Sequence, residues 1–249
     1  MLKPERQEFI VHQVNLHNKV LLTDLSDQIQ VSNDTIRRDL QELADAGKII
    51  KIHGGALSPS FHNGHHQSKD VYAYNQKKII AKKAVSLIKN GMFVLTGGGT
   101  TVIELARALP QGLQATFISG SIPALFEYAN HPNIEVIAIG DKISKNSKIT
   151  VGSEAISKIK ELRVDICFMG INAINLTTGV SDNDWDIVQV KKAMIESSQK
   201  LVCLTISEKI NTQQPIQICE IKKIDTLITE LSPEDSLLLP YGKAGITVV

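Results

Sequence analysis

The amino-acid sequence predicts an α/β protein of two domains, a winged helix-turn-helix domain followed by a layered domain with a mostly parallel sheet. Short amphipathic segments and one basic ribbon fill the first 57 residues. Helical segments then alternate with uninterrupted apolar runs, a pattern typical of parallel strands that are covered on both faces. A chain of 249 residues has room for about two domains. We therefore assign residues 1–57 to the first domain, 58–75 to a linker and 76–249 to the second domain.

The first 30 residues predict two helices. Pro4 lies where the first turn of a helix tolerates proline, and Ile10 and Val14 share one face of that helix. Thr23 is the predicted N-cap of a second, shorter helix that carries Leu25. Both helices can bury an apolar face in a common core.

A third helix is predicted to begin at Ser32, because its hydroxyl can accept the free N–H groups of the first turn. Ile36, Leu40 and Leu43 then recur at the spacing of a helix that packs on a core. Gly47 ends the helix where a left-handed residue is usual. The polar side chains that this arrangement turns away from the core are Asn33, Thr35, Arg37 and Arg38. In a helix-turn-helix protein, side chains at this place face the major groove of DNA.

Residues 48–53 alternate apolar and basic side chains, as a small β-hairpin would, and we interpret this ribbon as the wing. Residues 1–58 contain seven Lys and Arg against eight Asp and Glu, so phosphate binding requires a local basic cluster. The predicted DNA-contacting residues are Ser32, Asn33, Thr35, Arg37, Arg38, Lys48, Lys51 and His53. The alternative is an all-helical domain in which Arg37 and Arg38 belong to a solvated face.

Residues 31–56, VSNDTIRRDLQELADAGKIIKIHGGA, resemble the signature of the DeoR family of bacterial transcriptional regulators. The VS, TIRRDL, G and HGGA elements of that signature are all present. Further along the chain, the segments GGGTT, VGSEA, DICFMG and VKKAMIESS resemble the sensor domain of the same family over about residues 76–232. The resemblance implies a winged helix-turn-helix domain joined to a sensor of phosphorylated sugars, whose fold is similar to that of ribose-5-phosphate isomerase.

The composition limits the cellular setting. The formal net charge is +1, and no apolar run approaches the roughly 20 residues that a membrane span requires. The first residues do not resemble a signal peptide. Cys167, Cys203 and Cys219 lack C-x-x-C spacing, and their odd number argues against a disulfide framework. We therefore predict a cytoplasmic protein with reduced, buried thiols.

Residues 58–70, SPSFHNGHHQSKD, are polar and without periodicity, which indicates a linker. His62, His65 and His66 could bind a metal, but they lack a supporting arrangement of cysteines or carboxylates. A polar linker is the simpler interpretation, and we predict neither a metal nor a cofactor.

In the second domain, a helix is predicted from Lys77 to Gly91, with Ile79 and Ile80 on its apolar face. The predicted strands lie in residues 92–95, 115–118, 134–139, 164–169, 201–206 and 226–228. In parallel sheets of this kind, ligands bind at the C-terminal ends of the strands, where loops lead into helices.

Three loops at those strand ends suit an anion. The glycine-rich loop 96–101 leaves a strand and enters a helix, loop 119–121 repeats that chemistry, and Lys209 follows a third strand. The predicted effector-contacting residues are Gly97, Gly98, Gly99, Thr100, Thr101, Ser119, Gly120, Ser121, Gly170 and Lys209. The chain lacks the P-loop and dinucleotide patterns. A monophosphate ligand is therefore favoured over the alternative, a plain tight turn with a threonine cap.

The resemblance to the isomerase fold implies binding without turnover. Where the isomerase family reads G-A-D-E-I-N, residues 170–175 read GINAIN, so both carboxylates are replaced. An amide or a methyl group cannot serve as the base that isomerisation requires. Two acids that the regulator family carries beside its ligand loops are also replaced, by Thr96 and Ile206. Lys209 and the loop threonines remain, so the phosphate end of the ligand is the better supported one.

Asp182, Asp184 and Asp186 surround the single tryptophan, Trp185, just before a predicted helix over 188–198. Acids at this place complement the helix dipole, or alternatively contact a sugar. Trp185 could stack on a ligand or pack at an interface, and the sequence leaves both roles open.

We interpret the sequence as that of a DNA-binding transcriptional regulator, a repressor of sugar metabolism genes, and not as an enzyme. It is expected to bind double-stranded operator DNA as a homo-oligomer, because one recognition helix touches few base pairs whereas two match a repeated operator. A phosphorylated sugar effector is expected to change the affinity for the operator. The alternatives are a phosphosugar isomerase-like enzyme with a helical N-terminal extension, and a binding module whose first domain contacts protein.

Overall fold

The computed structural model describes residues 1–61 and 71–249, which form two compact units with the boundary after Tyr72. The histidines His62, His65 and His66 of the predicted linker lie outside the described residues. None of the described helices combines the length and the hydropathy that a membrane-spanning segment requires. Across residues 1–61 and 71–249, His, Cys, Asp and Glu side chains do not gather in groups of three that could hold a metal ion.

The first unit contains three helices and a small antiparallel sheet. Its elements are α1 (Lys3–His17), β1 (Lys19–Leu21), α2 (Leu22–Ile29), α3 (Asn33–Asp45), β2 (Ile50–Ile52) and β3 (Gly55–Leu57). β2 and β3 form a wing hairpin, but the predicted bounds of residues 48–53 are wrong, because Gly54 lies in the turn and the second strand continues to Leu57. β3 also pairs with β1, a strand that the sequence pattern did not indicate. The core of the unit joins all three helices and includes Ile10, Val14, Leu25, Ile36 and Leu40.

Local sequence signals explain where α3 begins and ends. Ser32 is the N-cap, and its hydroxyl accepts a hydrogen bond from the N–H of Thr35 at 3.3 Å. After α3, Gly47 takes the left-handed conformation with a φ of 69°, and the N–H of Lys48 donates to the carbonyl of Leu43 at 2.9 Å. Both predicted ends of this helix are confirmed.

The predicted cap of α2 is wrong. α2 begins at Leu22, Leu21 occupies the cap position, and the hydroxyl of Thr23 donates to the carboxylate of Asp24 at 3.3 Å. The physical reason is that β1 runs directly into α2, and the N–H of Leu22 donates to the carbonyl of Gly54 in the turn of the wing at 2.8 Å. The backbone of the wing thus satisfies one of the helix donors that side-chain caps usually serve.

The structure describes every residue of the second unit, 73–249. Its helices are α4 (Tyr74–Val85), α5 (Thr100–Arg107), α6 (Ile122–Ala129), α7 (Ser153–Glu161), α8 (Trp185–Glu196) and α9 (Leu239–Lys243). Its strands are β4 (Phe93–Thr96), β5 (Thr116–Ser119), β6 (Glu135–Ala138), β7 (Lys142–Ser144), β8 (Ile149–Val151), β9 (Ile166–Gly170), β10 (Ala173–Asn175), β11 (Gly179–Asp182), β12 (Leu201–Leu204), β13 (Ile216–Cys219), β14 (Thr226–Ile228) and β15 (Thr247–Val248).

The large sheet of this unit confirms the predicted parallel architecture. Its strand order is β15-β14-β12-β9-β4-β5-β6, and all six pairings between neighbours are parallel. The central strands are buried, as Val94, Phe117 and Phe168 illustrate. A smaller antiparallel sheet, β10-β11-β13, and the hairpin β7-β8 were not indicated by the sequence pattern.

Some predicted details of the second unit are wrong. α4 ends at Val85 and does not continue to Gly91. Ile80 is buried whereas Ile79 is exposed, because successive residues of a helix project about 100° apart. β6 is an edge strand, so Ile137 is exposed over 45% of its surface although its segment was predicted to be a buried strand.

The three cysteines are free thiols, which agrees with the predicted reduced state. Cys167 and Cys203 are buried as predicted, whereas Cys219 is only partly buried because it lies on β13 of the smaller sheet. Burial raises the pKa of the Cys167 thiol to about 12. A thiol of this kind is inert packing material in the core.

Candidate functional site

The first turns of α3 present the polar side chains that were predicted to contact DNA. Asn33, Arg37 and Arg38 are exposed. Thr35 is partly exposed, and its hydroxyl lies 3.0 Å from that of Ser32. The apolar face of α3 is buried in the core of the unit. This end of the helix is therefore accessible to a DNA groove.

Arg37 contacts the carboxylate of Asp34 at 2.5 Å, and the two side chains are exposed over 58% and 77% of their surfaces. An ion pair this exposed contributes roughly 0–1 kcal/mol. The contact therefore does not prevent the Arg37 guanidinium from binding a phosphate or a base edge instead.

The wing is attached to both α3 and β1. The exposed basic side chains of the wing are Lys48, Lys51 and His53. The ammonium of Lys51 donates to Oε1 of Gln41 on α3 at 2.8 Å. Gly55 lies so close to β1 that a Cβ there would be 2.0 Å from the carbonyl oxygen of Val20, so only glycine fits. The wing and the exposed end of α3 therefore form one continuous surface.

In the second unit, backbone loops that follow β4, β5 and β9 meet at one edge of the large sheet. The N–H of Gly97 donates to the carbonyl of Phe168 at 3.0 Å. A Cβ on Gly170 would lie 2.9 Å from the carbonyl oxygen of Gly98, and a Cβ on Gly98 would lie 3.6 Å from Oγ of Ser121. The structure thus brings together residues that the sequence placed in three separate segments.

The two serines of the second loop have different surroundings. The hydroxyl of Ser119 donates to the carbonyl of Thr96 at 3.0 Å and accepts from the N–H of Ser121 at 3.1 Å, so it supports the loop. The hydroxyl of Ser121 is buried and has no hydrogen-bond partner among residues 1–61 and 71–249. Gly120 contacts β8, where the N–H of Thr150 donates to its carbonyl at 2.8 Å. Of the two serines, Ser121 is therefore the one whose hydroxyl does not support the loop by a hydrogen bond.

Two helices start from these loops. α5 begins at Thr100 directly after Gly99, and Thr100 and Thr101 are both buried. α6 begins directly after Ser121. The first N–H groups of a helix lack partners within it, and together with the helix dipole they favour an anion.

A row of polar side chains begins at Asn172, in the loop after β9. The Lys209 ammonium lies 3.4 Å from Oδ1 of Asn172 and 3.5 Å from the carbonyl of Ile171. The amide of Asn172 donates to Oδ1 of Asp182 at 3.3 Å, and Lys191 binds Oδ2 of Asp182 at 2.8 Å. Asn172, Asp182 and Lys191 are all buried, and Lys209 is partly buried.

Two lysines of this region, Lys77 and Lys209, have lowered pKa values. Burial, and then repulsion from Lys209, lowers the pKa of Lys77 to about 7, although Glu104 and Glu208 oppose that shift. Burial likewise lowers the pKa of Lys209 to about 8; Lys191 adds to this shift, and Asp182 opposes it. A bound anion would favour the charged forms of both amines.

Asp182 is stabilised in its charged form. Burial alone would raise the pKa of Asp182, but the ion pair with Lys191 and the hydrogen bonds from Asn183 and Asn172 hold it below its ordinary value. Asp184 is the N-cap of α8 and accepts the N–H of Ile187 at 3.3 Å, as expected of an acid that complements a helix start.

The positions at which the family's usual acids are replaced are both buried. Thr96 accepts a hydrogen bond from the hydroxyl of Tyr128 at 3.2 Å, and Ile206 belongs to the core. Trp185, by contrast, is exposed over 64% of its surface at the start of α8. A threonine hydroxyl and an apolar side chain thus occupy the two positions at which the family pattern has carboxylates.

Sequence reasoning missed Lys77 and Lys191 as members of this region. A weak signal was present, because Lys77 occupies the same helical face as Ile80 and Ala84, where a lysine is unusual. Lys209 itself was predicted from the sequence, but its proximity to Lys77 depends on tertiary structure and has no signal in the sequence.

An exposed recognition helix, a wing tied to it and a core that fixes both define the first unit as a DNA-binding domain of the winged helix-turn-helix class. Residues 6–61 match the DeoR-like helix-turn-helix domain, and residues 72–231 match the DeoR C terminal sensor domain. The chain belongs to the DeoR family of transcriptional regulators.

Relatives align along the whole chain. The transcriptional regulator GlpR of Haloferax volcanii is 32% identical over 252 residues, which cover 100% of this chain and 98% of that protein. The transcriptional repressor GlcR of Bacillus subtilis is 29% identical over 251 residues, which cover 100% and 96%. These relatives are regulators, and the prediction of a regulator and not an enzyme is confirmed.

Among solved structures, ribose 5-phosphate isomerase A of Methanocaldococcus jannaschii is similar at a TM-score of 0.42 and 22% identity. The match covers 55% of each chain.

Proposed function

We propose that this regulator represses sugar metabolism genes, and that a phosphorylated sugar bound without turnover in residues 73–249 changes its affinity for operator DNA. The exposed end of α3 and the basic side chains of the wing would contact the operator. The observation that carries the effector proposal is the meeting of backbone loops from three strands at one sheet edge. The buried Ser121 hydroxyl, which has no hydrogen-bond partner among the described residues, and the lysines Lys77 and Lys209 support it.

An anion at this edge would satisfy groups that the protein leaves in need of a partner. It would accept hydrogen bonds from the Ser121 hydroxyl and from the first N–H groups of α5. It would also offset the repulsion between Lys77 and Lys209. A phosphate group suits these donors because its oxygens can accept several hydrogen bonds at once.

The surroundings of the one carboxylate that contacts Asn172 support binding without turnover. Isomerisation needs a carboxylate that can take a proton from the sugar. Asp182 is instead buried in an ion pair with Lys191, and its pKa is lowered, which makes it a weak base.

We further propose that the regulator acts as a homo-oligomer, a dimer or larger, on operators with related half-sites. One recognition helix contacts too few base pairs for selective binding, and two helices related by symmetry double that number. The effector would bind more tightly to the arrangement of the subunits that fits DNA less well. It can shift the equilibrium between the two arrangements only by the difference between its affinities for them. Repression is supported by the name of the relative GlcR, and the expected effect of the sugar is release of the operator.

A thermal-shift screen tests the effector proposal. The full chain is heated with a panel of aldose and ketose phosphates, with the matching sugars that lack phosphate, and with inorganic phosphate. A ligand at 100 times its Kd adds about 2.7 kcal/mol of stability, which is easily measured as a rise in Tm. Only phosphorylated sugars are expected to raise Tm strongly, and the best of them is expected to release DNA from a duplex that the protein has selected from a random pool. A panel that leaves both Tm and DNA binding unchanged would contradict the proposal.

A further inference from the structure

A cluster of polar side chains joins α1 to one flank of the recognition helix α3. Nε of Arg6 donates to Oδ2 of Asp39 at 2.5 Å, and Nη2 of Arg6 donates to Oδ1 at 3.3 Å. The amide of Gln7 donates to Oδ1 of Asp39 at 3.2 Å and to Oε2 of Glu42 at 2.8 Å. Lys3 binds Oε1 of Glu42 at 2.8 Å. We call these five residues the α1–α3 clamp.

The two ion pairs of the clamp differ in burial. The side chains of Arg6 and Asp39 are exposed over only 12% and 2% of their surfaces, whereas those of Lys3 and Glu42 are about half exposed. Removing one member of a buried pair leaves the other charge uncompensated, and that is strongly destabilising, whereas an exposed pair contributes little. The constraint that the clamp places on α3 therefore comes chiefly from Arg6 and Asp39.

Asp39 lies at the place on α3 where a fixed contact matters most for DNA recognition. It follows Arg37 and Arg38 directly and precedes Leu40, which is in the core. Successive residues of a helix project about 100° apart, so fixing Asp39 against α1 fixes the direction in which Arg38 projects. Gln41, which projects from roughly the opposite flank, is held by the wing. α3 is thus bound on both flanks, with its DNA-facing strip between them.

We propose that Arg6 is a positioning residue for operator recognition. Its guanidinium holds Asp39 by two hydrogen bonds, and this contact sets the rotation at which α3 presents Arg37 and Arg38 to the bases. Arg6 does not itself touch DNA. A lysine cannot replace it, because an ammonium lacks the planar fork that binds both carboxylate oxygens.

The test compares two duplexes of equal length, one selected from a random pool by the wild-type chain and one of random sequence. In the full chain, Arg6→Gln is expected to weaken binding to the selected duplex by about tenfold or more, the size of effect typical of a lost base contact. Binding to the random duplex is expected to change less than about twofold, and the slope of affinity against salt concentration is expected to stay the same, since no phosphate contact is lost.

Lys3→Gln is the matched control, because it removes a cation and an ion pair from the same helix at an exposed position. It is expected to change both affinities by less than about twofold. Arg6→Lys is expected to resemble Arg6→Gln in its loss of preference for the selected duplex, although it keeps the charge.

Two results would overturn the proposal. Equal weakening on both duplexes, with the salt slope reduced by about one, would make Arg6 a phosphate contact. An unchanged ratio of the two affinities would make its role purely structural. Circular dichroism at the assay temperature identifies variants that fail to fold, and Asp39→Asn, which keeps the side-chain shape, then provides the same measurement. The double variant Arg6→Gln, Asp39→Asn is expected to be no worse than Arg6→Gln alone, and additive losses would also count against the proposal.

Discussion

The two units of this regulator use their cations in opposite ways. In the first unit, Arg37, Arg38 and Lys51 are exposed on one strip of helix and wing. In the second unit, Lys77 and Lys191 are buried beneath the loops of a sheet edge. Exposed cations bind a polyanion by releasing its counterions, and they act only within a short, salt-dependent range. Buried cations have already lost their water on folding, and burial disfavours their charged form, so a bound anion would stabilise that charge.

The contrast teaches that the two binding events respond to different variables. Salt concentration is expected to govern the affinity for DNA to the extent that the proposed contacts of the exposed cations are with phosphates. If the proposed effector binds beside Lys77 and Lys209, the protonation of these amines is expected to govern its affinity, because burial brings their pKa values close to neutrality. Three experiments sharpen or break this division.

The largest effect is expected from Lys209→Ala, which removes a cation from the effector site. The response to phosphorylated sugars is expected to disappear, because the affinity falls by about 1.5–3 kcal/mol, the worth of a hydrogen bond to a charged group. Affinity for the operator without effector is expected to stay the same. Titration of operator release by the best sugar of the screen measures both quantities. Lys82→Ala, at an exposed lysine of α4, is the control, and an unaltered release curve for Lys209→Ala would reject the assigned role.

Arg38→Ala tests the exposed cations of the first unit, through the proposed contact of Arg38 with DNA. Loss of a base contact is expected to weaken operator binding by about 1–3 kcal/mol, and loss of a phosphate contact alone by less. Fluorescence anisotropy with a labelled duplex at fixed salt gives the change, and Arg163→Ala in the second unit is the control. Binding equal to that of the wild type would remove Arg38 from the interface.

A smaller effect is expected from pH. The free protein holds Lys77 and Lys209 with pKa values of about 7 and about 8. A bound anion favours the charged amines and raises both pKa values, so binding above these values takes up protons and weakens as pH rises. From pH 7.5 to 8.5 the effector affinity is expected to fall by at least about threefold, since one proton with a pKa near 8 is lost over that range. Calorimetric titration in buffers of different ionisation enthalpy measures the affinity and the proton uptake. An affinity independent of pH would show that neither lysine faces the ligand.

The first unit could be predicted from sequence because its signals are local. Ser32 and Gly47 mark the ends of α3 by their own conformational preferences, and the apolar spacing between them fixes which face is buried. The start of α2 at Leu22, and not after Thr23, could not be predicted, because the N–H of Leu22 donates to the carbonyl of Gly54 from a distant part of the chain.

The second unit could be predicted only in part. Continuous apolar runs identified the parallel strands, and the rule that ligands bind at strand ends identified the loops. The partners of Asp182 could not be predicted, because a lysine on α8 and an amide on the loop after β9 meet only in the folded chain. The sequence predicted that all three aspartates near Trp185 either complement the helix dipole or contact a sugar. Of the three, only Asp184 acts as the cap of α8.

The unmet hydroxyl of Ser121 has a consequence for ligand choice. A buried polar group without a hydrogen-bond partner destabilises a protein by roughly 1–3 kcal/mol. The effector-free chain carries that strain in the serine at the start of α6. An apolar molecule of similar size would leave the strain in place, whereas an oxyanion removes it. In the proposed site, the Ser121 hydroxyl would therefore favour metabolites that bring a hydrogen-bond acceptor to it over those that do not.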